Sequence, residues 1–377
     1  MKVATLADFC RVIGGGRLKL SGKQFVEDGY PAYGAGGLNG YLATSEFEEP
    51  GIVLSSIGAR CGKCFLAERA WTSLANTQII FPDPTKADIR FLWYQLDDEA
   101  RWPRSGAAQP FIRPSDVKNH LVSLPPLDEQ RRIVAVLDEA LEAIATVTAN
   151  AEKNLANARE LFSSELRHLF RVSGKGWRWK PIGEIADARL GKMLDKSKNK
   201  GSPKPYLRNL NVRWFRFDLS DLLEMRFEET EHDRYTAKRG DLLIVEGGHP
   251  GRAAIWESDE PIFFQKAVHR VRFVDPLLAK LLMYMLFAQN GDGTLSKYFS
   301  GTGIQHLTGQ SLARIPMPVP PQSERGPMIA KIEALLSISE EAERLYLAKL
   351  SELNAFKQSL LRRAFSGELT DRQPLAA

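Results

Sequence analysis

Residues 121–133 read LVSLPPLDEQRRI, and residues 316–328 read PMPVPPQSERGPM. The two stretches stand 195 positions apart, and the correspondence runs ungapped from Ser105–Phe170 to Ser300–Phe365. Ser105-Gly106 returns as Ser300-Gly301, Pro125-Pro126 as Pro320-Pro321, Glu129 as Glu324 and Phe170 as Phe365. A repeat at fixed period outranks local signals, because each copy is one structural unit. The 377-residue chain is therefore read as two similar bodies, suited to a two-part target. Further upstream the match shifts. GIVLSSIGARCGK at 51–63 resembles GDLLIVEGGHPGR at 240–252 at an offset of 189, and FLWY at 91–94 resembles LLMY at 281–284 at 190. Each shift marks a length difference in a loop. Before Gly51 the copies barely align, with YPAYGAGGLNGY (30–41) against PKPYLRNLNVRW (203–214). The shared blocks read as scaffold and the divergent stretches as surfaces set for different targets.

Each proline pair opens a long helix. From Asp128 to about Phe170 there is no Pro or Gly, and Ile133, Leu137, Ala140, Ile144, Val147 and Ala151 alternate at spacings of four and three. That is a heptad seam. It continues through Leu155, Ala158, Phe162, Leu166 and Leu169. Pro125-Pro126 stops the preceding strand, and Asp128 is placed to cap the helix. The second helix runs from about Ser323 to Phe365, with Ile332, Leu335, Ala342, Tyr346, Leu353, Phe356 and Leu360 on its stripe. Its Pro327 is tolerable in a first turn. At about 1.5 Å per residue each helix is a rod of about 65 Å. A single apolar stripe must be buried against something. Chain order makes the other helix the nearest partner, antiparallel, with one globular body at either tip and a pseudo-twofold axis between them. Two helices buried separately, each in its own domain, is the competing arrangement.

The expected fold class is α+β: two pseudo-twofold-related α/β bodies separated by a pair of long antiparallel coiled-coil helices. The expected boundaries are residues 1–123 for the first body, 124–173 for the first helix, 174–318 for the second body and 319–377 for the second helix. Strand-like runs are Gly51 to Ser56, Thr77 to Phe81, Asp241 to Glu246 and Ala267 to Phe273; helix-like runs are Ile89 to Asp98 and Pro276 to Gln289.

Composition narrows the class. No apolar run approaches a membrane span. The N-terminal MKVATLADF lacks the apolar core of a signal peptide, and three cysteines argue against a disulfide framework. These features predict a cytoplasmic protein. The net charge of +5 is uneven: residues 171–318 carry 24 Lys/Arg against 17 Asp/Glu, whereas residues 124–170 carry 5 against 8. Residues 1–123 are nearly balanced at 14 against 13 and residues 319–377 balanced at 8 against 8, so the bodies are basic or neutral and the helices acidic or neutral. Basic domains on a less basic connector suit a polyanion, nucleic acid first.

Each copy carries glycine-rich polar loops. The first has Tyr33 and Asn39 in one loop, Arg60 and Lys63 in the next, and Arg104 and Gln109 in a third. The second has Arg208, Asn209, Asn211 and Arg213, then His249 and Arg252, then Gln305 and His306. Glycine lets backbone approach a surface closely. Arg and Lys pair with phosphate or guanine, and Asn and Gln read adenine. These residues are the candidate DNA contacts, although surface turns share the composition.

The repeat, the paired helices and the motif Leu124-Pro-Pro-Leu-Asp-Glu129-Gln130-Arg-Arg-Ile133, with its looser copy Val319-Pro-Pro-Gln-Ser-Glu324-Arg, resemble the specificity subunit of type I restriction-modification systems. Pro205-Tyr-Leu-Arg-Asn-Leu-Asn211-Val, Gly240-Asp-Leu-Leu-Ile-Val and Ile315-Pro-Met-Pro-Val-Pro-Pro are similar to that family too. The resemblance implies two target-recognition domains, each reading half of a split, asymmetric double-stranded DNA site. It implies helices that set the spacing and dock two methyltransferase subunits, with Pro125, Pro126, Glu129, Gln130, Pro320, Pro321 and Glu324 as docking residues. Restriction/translocase subunits would join them. S-adenosylmethionine, ATP and Mg would sit on those partners, and this chain would bind no cofactor or metal and supply no catalysis.

The residues agree. The chain has no Asn-Pro-Pro-aromatic or Asp-Pro-Pro-aromatic motif and no Walker A sequence, and Asn39 takes the third glycine position of a dinucleotide fingerprint. Cys61 and Cys64 have CxxC spacing but no second ligand pair, and read as buried or incidental thiols. Two rival readings stand beside the first: a solitary metal-dependent nuclease using Asp83, Asp116 and Lys118, and a coiled-coil scaffold that binds only proteins.

Overall fold

A computed structural model describes residues 3–16, 25–68, 70–106, 108–171, 174, 176–195 and 197–369. They form two compact units, Met1–Ala151 with Ala348–Ala377, and Glu152–Leu347.

Unit 1 is built on an antiparallel sheet whose strands are β2 (Cys10–Gly14), β9 (Thr77–Pro82), β6 (Gly51–Ser55) and β7 (Cys64–Ala67), in that order. In β6 every residue is buried, so its side chains alternate between two cores. Ile52 and Leu54 join Ile80, Leu92, Leu96, Trp102 and Val117 on one face, while Val53 joins Trp71, Ile79 and Phe81 on the other. Burying each such aliphatic side chain is worth roughly 1.5–3 kcal/mol. The first core is closed by helix α1 (Ile89–Leu96), whose N-cap Asp88 accepts from the Arg90 and Phe91 amides, and by short α2 (Pro114–Lys118). A second sheet is ordered β3 (Phe25–Val26), β5 (Gly37–Leu42), β4 (Tyr30–Gly34), β8 (Thr72–Ser73), with β4 and β8 parallel. A ribbon of β1 (Val3–Thr5) and β10 (Leu121–Ser123) leads to the proline pair.

Unit 2 repeats the first sheet strand for strand: β12 (Ala186–Leu190), β19 (Val268–Phe273), β16 (Leu242–Val245), β17 (Ala253–Ile255). Leu242 and Ile244 enter one core and Leu243 and Val245 the other, the alternation seen in β6. Helix α6 (Pro276–Gly291) takes the place of α1, and β11 (Arg178–Pro181) pairs with β20 (Pro316–Val319) as β1 does with β10. The second sheet differs. Its order is β14 (Leu223–Phe227), β13 (Ser202–Leu207), β18 (Ile262–Phe264), β15 (Thr236–Ala237), with β13 and β18 parallel. The divergent stretches 30–41 and 203–214 thus carry strands of the second sheets, and the shared stretches 51–63 and 240–252 carry the central strands of the first. Ser55 and Val245 make equivalent backbone bonds, to Lys63 and Arg252. The offset is therefore 190 at the strand and 189 after the turn, and the turn following β16 is one residue shorter.

The long helices are α3 (Leu127–Arg171) and α8 (Gln322–Ser366). In unit 1, Ile133, Val134, Leu137 and Ile144 near the start of α3 pack with Leu360 and Ala364 near the end of α8 and with Phe91. In unit 2, Phe162, Leu166 and Phe170 near the end of α3 pack with Met328, Ile329 and Ile332 near the start of α8. Opposite ends meet in each unit, so the pairing is antiparallel in both. Arg159 and Glu343 form an ion pair at 2.5 Å, and the Ser339 hydroxyl donates to the Ala158 carbonyl at 2.9 Å.

Four local expectations are corrected. Asp128 is not the cap: α3 starts at Leu127, and the Pro126 carbonyl accepts from the Glu129 and Gln130 amides. Val147 is 36% exposed and Thr148 is half-buried in its place, because a straight helix drifts away from a strict seven-residue repeat. Phe356 is 56% exposed rather than in the stripe. Pro327 lies in the second turn of α8, where its missing amide leaves the Ser323 carbonyl without a helical donor. Among the described residues no helix is long and apolar enough to cross a membrane.

Candidate nucleic-acid interface

In unit 1, three separate stretches meet beyond the end of β6. The Phe111 amide and carbonyl pair with those of Ser105 at 2.9 Å each; the Gly58 amide donates to Pro110 at 3.0 Å and the Ile112 amide to Ser56 at 2.9 Å. Arg60 donates to the Gly36 carbonyl at 3.2 Å and lies over the Phe65 ring, which ties the turn after β6 to the β4–β5 hairpin tip. Gly58 and Gly106 hold φ of +105° and +86°, left-handed turns that a side chain would strain.

Unit 2 repeats this junction. His306 pairs with Ser300 at 2.8 and 2.9 Å, and the Leu307 amide donates to the Glu246 carbonyl at 2.7 Å. Gly248 and Gly301 are left-handed, with φ of +89° and +99°. Asn209 Nδ2 donates to the Gly247 carbonyl at 3.0 Å, which draws in the loop after β13. The loops chosen from sequence therefore converge in each unit, although each set is scattered along the chain.

The side chains differ in exposure and in what they already bond. Asn39, Arg60, Arg104, Gln109, His249 and Gln305 are exposed; Tyr33, Lys63, Arg213, Arg252 and His306 are half-buried. Arg104 bonds the Glu99 carbonyl at 2.6 Å, and Lys63 pairs with Asp97 at 2.7 Å. Tyr33 packs edge-on to Trp71. Arg208 grips the Asp221 carboxylate and carbonyl at 2.6 and 2.8 Å. Asn209 also accepts from the Leu210 amide, so it shapes its loop. Asn211 is corrected as a base reader. It is 2% exposed, its Oδ1 accepts from the Arg208 amide at 2.8 Å, and its Nδ2 donates to the Asp218 and Asp221 carbonyls at 2.9 and 3.2 Å.

Among the docking residues, Pro126 and Glu324 are exposed and Glu129 and Pro321 half-buried, but Pro125, Pro320 and Gln130 are buried and cannot meet a partner. Their role is to seat the helix starts. Glu129 pairs with Arg132 at 2.5 Å, and Glu324 accepts from Trp177 Nε1 at 2.9 Å.

The structure adds residues that sequence reasoning missed. Arg216 lines one recess with Arg213 and Arg252, beside Trp214, Phe215 and Glu340. Burial and the neighbouring Arg213 charge push the Arg252 guanidinium below its ordinary range. Phe111 and Glu246 sit at the loop junctions. The signal for Phe111 lay in the repeat, which aligns it with His306.

Chemistry-bearing alternatives are occupied otherwise. Asp83 accepts from the Thr85 amide and hydroxyl at 3.0 and 2.7 Å, and Asp116 accepts from the Arg113 amide at 3.2 Å at the start of α2. Among the described residues no three His, Cys, Asp or Glu side chains are grouped to hold a metal ion. Cys61 and Cys64 are buried free thiols facing the Ser56 and Leu96 carbonyls, at 3.4 Å each.

The family model for the type I restriction modification DNA specificity domain matches residues 1–155 and again 174–345. The chain belongs to the family of type I restriction-modification specificity subunits, which supply DNA sequence specificity and no catalysis. It is 22% identical to the type I restriction enzyme MjaVIII specificity subunit of Methanocaldococcus jannaschii, over 94% of this chain and 91% of that protein. It is 22% identical to the EcoDI specificity subunit of Escherichia coli, over 93% and 85%. The fold is similar to the HsdS subunit from Thermoanaerobacter tengcongensis, with a TM-score of 0.60 at 18% identity over 97% of each chain. It is also similar, at a TM-score of 0.78 and 18% identity over 97% of this chain and 98% of the other, to a chain solved in work on complex assembly and conformational transition of the type I R-M system.

Proposed function

We propose that each unit reads one half of a bipartite, asymmetric double-stranded DNA site through its three converging loops. The observation that carries this is the convergence itself. In both units, glycine-rich stretches far apart in sequence are laddered together, with cationic and amide side chains left at the surface beside them. Arginines there suit phosphate and guanine; exposed amides suit adenine edges. Residues 171–318, the more basic segment, supply the longer-range attraction for the backbone.

Two methyltransferase subunits would dock on the long helices, and restriction/translocase subunits on that assembly. Support comes from exposed apolar side chains, among them Val136 and Leu161 of α3 and Ile338 and Phe356 of α8, with Glu324 and Pro126 at the helix starts. S-adenosylmethionine, ATP and Mg belong to those partners in this reading. Footprinting of the assembled complex tests it. Two protected patches separated by an unprotected spacer are expected, and uniform or absent protection contradicts it.

A further inference from the structure

Phe111 and His306 occupy the same position of the repeat with opposite chemistry. The backbone around them is the same: Phe111 bridges Ser105 and Ile57, and His306 bridges Ser300 and Gly247. Each is followed by a residue whose amide donates to the end of the central strand, Ile112 to Ser56 and Leu307 to Glu246. Ser56 and Glu246 are therefore equivalent, and they differ in step with the pair above them. Ser56 is buried and uncharged, whereas Glu246 Oε2 sits 3.1 Å from His306 Nδ1.

Neither side chain is required by the ladder, since the other unit builds the same ladder without it. Both are accessible: Phe111 is 36% exposed and the His306 side chain 43%. Both sit where the loops meet. A carboxylate only accepts, so it fixes the proton on His306 Nδ1 and leaves Nε2 as the accepting nitrogen of the ring. A phenyl ring offers no hydrogen bond but fits a thymine methyl; an imidazole nitrogen meets a polar base edge.

We infer that this ladder position is a specificity-determining position in each unit, Phe111 for the half-site read by unit 1 and His306 for the half-site read by unit 2. The inference rests on the proposed reading of DNA by both units. Its test is the methylated sequence produced by this chain in complex with the modification subunits of its own system, mapped by sequencing. In His306→Phe, the preferred base should change at one position of one half-site, with the wild-type sequence methylated about ten-fold less there. The other half-site should not change. Phe111→His should do the reciprocal. An unchanged sequence methylated at the wild-type level by both variants overturns the inference. Should His306→Phe abolish methylation, His306→Gln and Glu246→Gln decide: relaxed preference at that one position supports the inference, and unaltered preference overturns it. A wild-type complex that methylates no bipartite sequence contradicts the functional reading itself.

Discussion

Gln130 Oε1 accepts the Asp88 amide at 2.8 Å, and Asp88 is the residue that caps α1. The other end of the same amide donates to the Lys86 and Pro125 carbonyls at 2.9 and 2.8 Å. One fully buried side chain thus locks the start of α3 to the cap of a neighbouring helix. Gln130→Ala would leave three backbone groups unpaired, and such groups cost about 1–3 kcal/mol each when buried. We expect unit 1 to lose about 2–4 kcal/mol, read as faster hydrogen exchange of its core amides. Glu129→Ala removes an ion pair between a half-buried carboxylate and exposed Arg132 and should cost no more than about 1 kcal/mol. Equal stability of the two variants would contradict the assignment.

His120 stacks on Trp102 with ring centroids 4.2 Å apart. Burial, and then the nearby Arg101 charge, push its imidazole down to about 4. Its folded pKa therefore lies below the unfolded value of about 6.5. On acidification the unfolded chain takes up the proton first, so stability present near pH 7 is lost between about pH 6.5 and pH 4. At pH 5 the loss should be on the order of 1 kcal/mol once solvent screening of this partly exposed ring is allowed for, and His120→Gln should abolish it. Unit 1 amide exchange at pH 7 and pH 5 measures it; an equal pH dependence in the variant would refute the assignment. His269, buried with its Nε2 2.8 Å from the Leu307 carbonyl, is lowered by burial and acts in the same direction in unit 2.

Much of the scaffold was legible because its signals are strong. The apolar runs of β6 and β16 could only be buried strands, and a 43-residue stretch without Pro or Gly could only be a long helix. The second sheets were not legible. Their strands are short and broken by Pro and Gly, as in YPAYG for β4 and SPKPYL for β13, and are fixed by pairing rather than propensity. Arg270 gave no warning either. It is buried in β19, facing Asp187 at 3.0 Å, where β9 carries an aliphatic residue. Within the candidate interface, glycine and polar content pointed to loops that the fold brings together in each unit. Composition could not separate Asn211, whose amide is used up inside its loop, from exposed Gln305.

Arg213, Arg216 and Arg252 line one recess, and Arg252 has no ion pair among the described residues. Guanidiniums gathered in this way suit a backbone phosphate, which positions the protein without specifying sequence. Arg213→Ala and Arg252→Ala should each weaken binding to any duplex and lower the salt slope by about 0.9 per phosphate lost. The methylated sequence should not change. A changed sequence would reassign these residues to base reading.

The most direct test of the central claim replaces residues 1–123 with the corresponding segment of another family member, followed by mapping of the methylated sites. Two independent readers predict that one half of the recognised sequence changes to the donor's half while the other stays as it was. Changes in both halves would contradict the account.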